Sequence, residues 1–338
     1  MIGTIIASVI IFGLLIFVHE LGHFLVAKWA KIRVLEFALG FGKELLTWEK
    51  GETRYSLRLF PLGGFCRMLG EDPEDLPQEG NFQEKPLLKR FAVIAAGSVM
   101  NFLLAVVLFS LLFFLIVGVP GTDSTRVGAV LPQSRAFEAG IRENDLILAI
   151  DGVKMNNWNS VVSKINSSPG KELTIHIERN QQDIFISVVP EEKDGRGLIG
   201  ITPVYEKYNF FSSIVLGVDY FFFWIKLIFV GLYQMITGII PPDVTGPVGI
   251  VGVIGEVMQE GISNLFSLTA VISINLGIIN LLPIPALDGS RLVFLLLEGI
   301  RGKPIDPKKE GFIHFIGFTF LILLMIFIAF QDITRLIY

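Results

Sequence analysis

The chain has 338 residues, 52% of them hydrophobic and 18% charged, with a net charge of -4. Soluble domains carry about 25% charged residues, and several uncharged blocks here reach the ~20 residues that cross a hydrocarbon core. A cytosolic enzyme, a disordered chain and a secreted disulfide scaffold are therefore excluded. The acidic balance argues against nucleic acid as a partner. The single cysteine, Cys66, permits neither an internal disulfide nor a multi-thiolate metal site.

Four blocks read as membrane spans: Ile2–Val18, Phe91–Val119, Ile262–Leu287 and Gly311–Gln331. The first has no basic leading region and no small-residue cleavage site, so it reads as a retained helix rather than a signal peptide. Lysines and arginines crowd Lys28–Arg90 and Gly299–Glu310, which the positive-inside rule assigns to the cytosol. Between the first two spans, Val34–Phe41 and Leu45–Phe65 alternate like strands, with a turn predicted at Trp48–Glu52. Such an apolar hairpin beside a span is expected to dip into the bilayer, where backbone must be buried in protein or line a cavity. It offers an edge for an extended substrate, with Tyr55, Leu57 and Leu59 as the binding residues.

Gly121–Lys207 is polar and predicts a small outer domain. Its strands are expected at Val127–Val130, Leu146–Ile150, Leu173–Glu178 and Ile184–Val188, with a helix near Trp158–Ile165. Turns are expected at Asp151-Gly152, Pro169-Gly170, Arg179-Asn180 and Asp194-Gly195. Phe210–Ile240 is ambiguous. It is apolar and aromatic but contains Asp219 and Lys226, so it reads either as an interfacial segment or as a fifth span.

His19-Glu20-Leu21-Gly22-His23 matches H-E-x-x-H. On a helix, positions i and i+4 share a face, so both imidazoles reach one Zn²⁺ while the glutamate acts on its water. Half of the four histidines of the chain lie in this pentapeptide. Catalytic zinc takes three protein ligands and keeps one position open. Asp288 is the first acidic residue after the third uncharged block, behind the helix breakers Pro283 and Pro285, and is the candidate third ligand. For His19, His23 and Asp288 to meet, their two spans must run in the same direction. That requires an odd number of crossings between them, which makes Phe210–Ile240 interfacial or re-entrant and the count four.

These motifs, with Pro61-Leu62-Gly63-Gly64-Phe65, Met68-Leu69-Gly70-Glu71-Asp72, Gly246-Pro247-Val248-Gly249-Ile250, Ser273-Ile274-Asn275-Leu276-Gly277 and Leu287-Asp288-Gly289, cover nearly the whole chain. Together they resemble the intramembrane site-2 zinc metalloproteases, in the bacterial regulator-of-sigma-E protease branch. The resemblance implies a membrane protein, mainly α. Four transmembrane helices carry a membrane-dipping β-hairpin region and an inserted extracytoplasmic PDZ-like α+β domain. It implies His19, His23 and Asp288 as zinc ligands, Glu20 as catalytic base, and Asn280 as a residue holding substrate backbone. The PDZ likeness rests on Ala139–Asp145 and Ile147–Gly152.

Three departures stand out. There is room for one PDZ domain where many relatives carry two, no glycine-rich carboxylate-binding loop is evident, and Gly97-Ser98 precedes Asn101 where relatives often show Gly-Pro. The implied partners are membrane lipid and single-span membrane proteins such as anti-sigma factors, with remnant signal peptides as further substrates. The implied location is a bacterial cytoplasmic membrane, with the PDZ-like domain outside and the active site toward the cytosol. The expected division is residues 1–30 for the first span, 31–90 for the β region, 91–120 for the second span and 121–207 for the PDZ-like domain. Residues 208–260 form the interfacial segment, 261–298 the third span, 299–310 a cytosolic loop and 311–338 the fourth span.

Overall fold

The uncharged first block continues through the histidine motif as one helix, α1 (Ile2–Trp29), so His19 and His23 share a face one turn apart. The structure, a computed structural model, describes residues 2–71, 78–116, 119–120, 124–193, 195–241 and 245–337. Asp72 of the glycine-rich motif and Asp194 of an expected turn lie outside the described residues.

After α1 comes a long hairpin, β1 (Val34–Lys50) and β2 (Thr53–Met68). Gly51, at φ 65°, makes the turn. Gly40 and Gly42 also take positive φ and bend β1, so the hairpin folds back on itself. Glu36 to Leu39 then face two neighbours: Arg54 to Leu57 on one side and Gly64 to Arg67 on the other. The run from Arg54 to Leu57 is itself flanked on its far side by Leu46 to Glu49. Gly64 to Arg67 therefore forms one border of this small sheet.

α2 (Leu87–Leu111) runs on into a π turn at Leu112–Ile116. It packs antiparallel on α1. His23 meets Val93, Asn101 meets His19, and Leu104 joins Ile11 and Leu15 in one cluster. The helices approach closely through small residues, because a Cβ on Gly22 would collide with the carbonyl of Ala96.

The rest of this unit is α5 (Phe210–Ile236), α6 (Pro247–Glu260), α7 (Ile262–Leu281), α8 (Asp288–Arg301) and α9 (Pro307–Ile337). The numbers α3 and α4 belong to the second unit. Leu265, Leu268, Ile272 and Leu276 of α7 pack with Ile11 and Leu15, while Asn280 reaches His19. α1 and α7 thus run in the same direction, as converging ligands at their ends require.

Among the described residues, five helices rather than four are long and apolar enough to cross a membrane, and Phe210–Ile236 is the additional one. It does not stand apart as a surface segment. Gly217 lies against Ser110, Tyr220 against Phe109 and Phe221 against Phe102, so α5 descends antiparallel along α2. Asp219 and Lys226 are both exposed, so the helix buries neither charge in the protein. α6 lies back at the opposite end of the bundle, with Gly255 on Thr4 and Met258 on Gly3. Asp332 near the end of α9 accepts the amides of Gly246 and Gly249, at 3.2 and 2.8 Å. A buried carboxylate thereby satisfies donors at the start of α6.

The second unit spans residues 113–213. β3 (Val119–Pro120) pairs with β12 (Tyr205–Glu206), and β4 (Val127–Val130) with β11 (Ile201–Pro203). β5 (Leu146–Ile150), β6 (Val153–Lys154), β7 (Leu173–Arg179) and β8 (Gln182–Val188) form an antiparallel sheet in the order β6-β5-β7-β8. β9 (Glu191–Lys193) and β10 (Arg196–Leu198) make a hairpin. The helices are α3 (Arg135–Glu138) and α4 (Trp158–Asn166), the latter held by a capping box between Asn157 and Ser160. Alternating apolar residues supply the core: Ile147 and Ile150 from β5, Ile175 and Ile177 from β7, and Trp158, Val161 and Ile165 from α4. Fully buried Asp145 holds Arg179 through two 2.7 Å contacts and accepts the Arg142 amide at 2.8 Å.

Candidate metal centre

His19 Nε2 and His23 Nε2 lie 3.3 Å apart. Asp288 Oδ2 lies 3.2 Å from each. Ligand atoms placed tetrahedrally ~2.0 Å from zinc are about 3.3 Å from one another. The three atoms thus make one face of such a tetrahedron and leave the fourth corner for water or substrate.

The donor set fits a cation. His23 Nδ1 faces the Val93 carbonyl at 2.8 Å. A neutral ring that donates its Nδ1–H there keeps a lone pair on Nε2. Asp288 Oδ2 is buried and accepts no hydrogen bond. Three lone pairs directed at one point are favourable only around a positive charge. Among the described residues, His19, His23 and Asp288 form the metal-competent group. Cys66 lines the same cavity, where burial, with Glu20 and Glu71 nearby, pushes its thiol up, and it is not among the three converging ligands.

The surrounding backbone explains how the ligands meet. Asp288 is the first residue of α8, after Leu287 in the capping position, and its Oδ2 accepts no backbone amide. The carboxylate is left for the histidines. A Cβ on Gly289 would strike the carbonyls of Leu281 and Leu282, so only glycine lets α8 start so close to the end of α7. A Cβ on Gly97 would land on the imidazoles of both His23 and His19. α2 therefore provides the floor of the site, and it does so at a glycine.

Two asparagines approach the other nitrogen of His19. Asn101 Nδ2 is 3.3 Å and Asn280 Nδ2 3.5 Å from Nδ1. A ring that ligates through Nε2 carries its proton on Nδ1 and needs an acceptor. A half-turn of the Asn101 carboxamide presents Oδ1, which is buried and otherwise unpartnered. Asn101 is wholly buried, and Ser273 on α7 donates to its backbone carbonyl at 2.7 Å. A polar residue inside an apolar span was the legible signal for it; its partner was not legible.

Glu20 lines a cavity of about 310 Å³ with His19, His23, Asp288 and Phe65 to Met68 of β2. Gly64 brings that strand onto Glu20, since a Cβ there would touch the Glu20 Cγ at 3.2 Å. Tyr55, Leu57 and Leu59 do not line this cavity. Tyr55 packs among Phe24, Phe37 and Trp48, Leu57 is paired on both sides, and Leu59 is exposed. The stretch of β2 beside the metal ligands is Phe65 to Met68, which periodicity alone did not distinguish.

Glu71, which the Met68–Asp72 motif contains without a role, and Arg291, which no motif contains, form part of the cavity wall. Glu71 joins Arg291 at 2.6 Å and accepts the Met68 amide at 2.9 Å, tying the strand to the helix that carries Asp288. Both residues also line an adjoining cavity of about 530 Å³.

Residues 7–324 match the profile of peptidase family M50. The chain is 36% identical to the zinc metalloprotease RasP of Geobacillus kaustophilus, over 98% of each protein. It is 37% identical to the regulator of sigma-W protease RasP of Bacillus subtilis, over 99% of each. Those alignments run over 414 and 421 positions, so the relatives hold insertions that this chain lacks. Part of the chain, 24%, is similar at 25% identity and a TM-score of 0.23 to the PDZ domain of an SdrC-like protein from Listeria monocytogenes. Family match, full-length similarity and a three-ligand centre beside a glutamate agree: the chain belongs to peptidase family M50, the site-2 protease family, and is a zinc metalloprotease.

Proposed function

We propose that this protein hydrolyses single-span membrane proteins within the bilayer, with His19, His23 and Asp288 holding zinc and Glu20 acting as the base. The observation that carries the reading is the 3.2 to 3.3 Å triangle of ligand atoms with Glu20 on the same cavity. Bound zinc supplies Lewis acidity toward the water and the scissile carbonyl. Glu20 takes the proton of the attacking water and delivers it to the leaving amine. His23 is oriented by Val93, and His19 by Asn101 with Asn280 beside it. Asn280 is read as holding substrate backbone as well.

A substrate helix hides its peptide bonds and must unwind before attack. Gly64 to Arg67 pairs with a strand on one side and lies beside the metal ligands, so the unwound segment adds along this border. Proline replacing Phe65 is expected to slow cleavage about tenfold or more, and helix-breaking residues in the substrate to speed it. Equal rates in both comparisons would remove strand addition; proline at Leu57 provides the comparison for the interior strand.

The second unit is read as an extracytoplasmic PDZ-like domain that filters substrates by size, and the active site as facing the cytosolic half of the membrane. The name of the Bacillus subtilis relative points to anti-sigma factors as substrates, alongside remnant signal peptides. The test uses purified protein and a single-span substrate. Cleavage is expected to stop on chelation and return with zinc, and His23→Ala and Asp288→Ala are expected to lose both metal and activity. Full zinc occupancy in either variant would refute the ligand assignment.

A further inference from the structure

We infer that His314, on α9, is a positioning residue that holds the Asp288 loop in its zinc-binding conformation. This rests on the metal assignment above. Ala286, two residues before Asp288, has φ 78°, a left-handed conformation that is unfavourable for a residue with a Cβ. Something must offset that cost. The Ala286 amide donates to His314 Nδ1 at 3.0 Å. That amide belongs to a loop with prolines at 283 and 285, where regular backbone pairing is interrupted.

The imidazole is itself held in place. Its ring meets Phe294 of α8 edge-on, 5.7 Å between centroids at 82°. One turn further along α9, Gly317 lies against Pro285, and a Cβ there would collide with the Pro285 backbone. α9 thus grips the loop at two successive residues, Pro285 by contact and Ala286 by a hydrogen bond. Accepting at Nδ1 leaves the His314 proton on Nε2. That atom is buried without a hydrogen-bond partner, and Glu310 stands 3.8 Å away. The tautomer is therefore set by the loop rather than by the cavity.

The arrangement assigns α9 a part in the metal centre although it contributes no ligand. Turning Ala286 into an ordinary β or α conformation would re-aim the next residues, and Asp288 Oδ2 would leave its place 3.2 Å from both histidines. Supporting partners of metal ligands typically govern 10- to 100-fold in affinity.

The test measures zinc retention by the full-length protein in detergent, challenged with the chelator 4-(2-pyridylazo)resorcinol, with thermal unfolding followed in parallel. His314→Phe keeps a ring against Phe294 but cannot accept the amide, and is expected to lose zinc about tenfold faster or more. His314→Asn places Oδ1 where Nδ1 stood and is expected to stay within about threefold of the parent. Ala286→Gly removes the strain, so adding it to His314→Phe is expected to restore most of the retention. A merely structural role predicts equal losses in the Phe and Asn variants and no rescue by glycine; either result, or unchanged retention in His314→Phe, would overturn the inference. If the parent protein shows no zinc that Asp288→Ala releases, the metal assignment itself fails instead.

Discussion

Glu20→Gln is expected to keep its zinc and lose about three orders of magnitude in turnover. The carboxamide has nearly the same shape as the carboxylate, so the cavity beside Phe65 to Met68 is not disturbed. Glu20 is not among the three converging ligand atoms, so metal affinity does not depend on its charge directly. What disappears is the ability to take a proton from water and return it to the amine, worth about 10²- to 10⁴-fold. Metal content by atomic absorption and cleavage of a single-span substrate separate the two effects. Turnover near the parent rate would remove Glu20 from the mechanism, and loss of zinc would make it a ligand.

Gly97→Ala is expected to lose zinc, with affinity falling about 100-fold, and to destabilise the helix pair. Helix propensity alone says the opposite, since alanine is favoured over glycine by about 1 kcal/mol in a helix interior. The structure reverses the sign. The added methyl would occupy the space of the His19 and His23 rings, so either the imidazoles turn away from the metal or α2 moves off α1. Overpacking of this kind costs about 1 to 3 kcal/mol. Gly13→Ala is the control. It lies in α1 with nothing within 4 Å of the added carbon, and is expected to leave zinc binding unchanged. Equal metal affinity in the two variants would show that α2 does not floor the site.

Much of the second unit was legible because its signals are local. Alternation placed Val127–Val130 and Leu146–Ile150 at the bounds observed for β4 and β5, and the helix near Trp158 followed from its apolar spacing. The membrane unit was legible in its spans and less so between them. Phe210–Ile236 reads ambiguously because two charges in an apolar helix are compatible with several depths. Its course along α2 depends on Gly217, Tyr220 and Phe221 finding partners over a hundred residues earlier. Tyr55, Leu57 and Leu59 alternate as a strand should, but alternation does not reveal which strand of a folded-back hairpin lies on the border of the sheet. That was settled by the bends at Gly40 and Gly42.

His19, Glu20 and His23 could be read directly, because helical geometry alone brings residues four apart onto one face. The requirement that α1 and α7 run in the same direction followed from the ligand chemistry, before any contact between them was known. Only the tertiary structure decided the supporting cast. Asn101, Gly97, Glu71, Arg291 and His314 lie from about 50 to 300 positions away from the motif, and each matters through an atom that the fold brings to it. His314, which begins an apolar block far from any motif, carries no local signal of its own. It gains a role because α9 packs where the α7–α8 loop has to adopt a conformation that its own sequence disfavours.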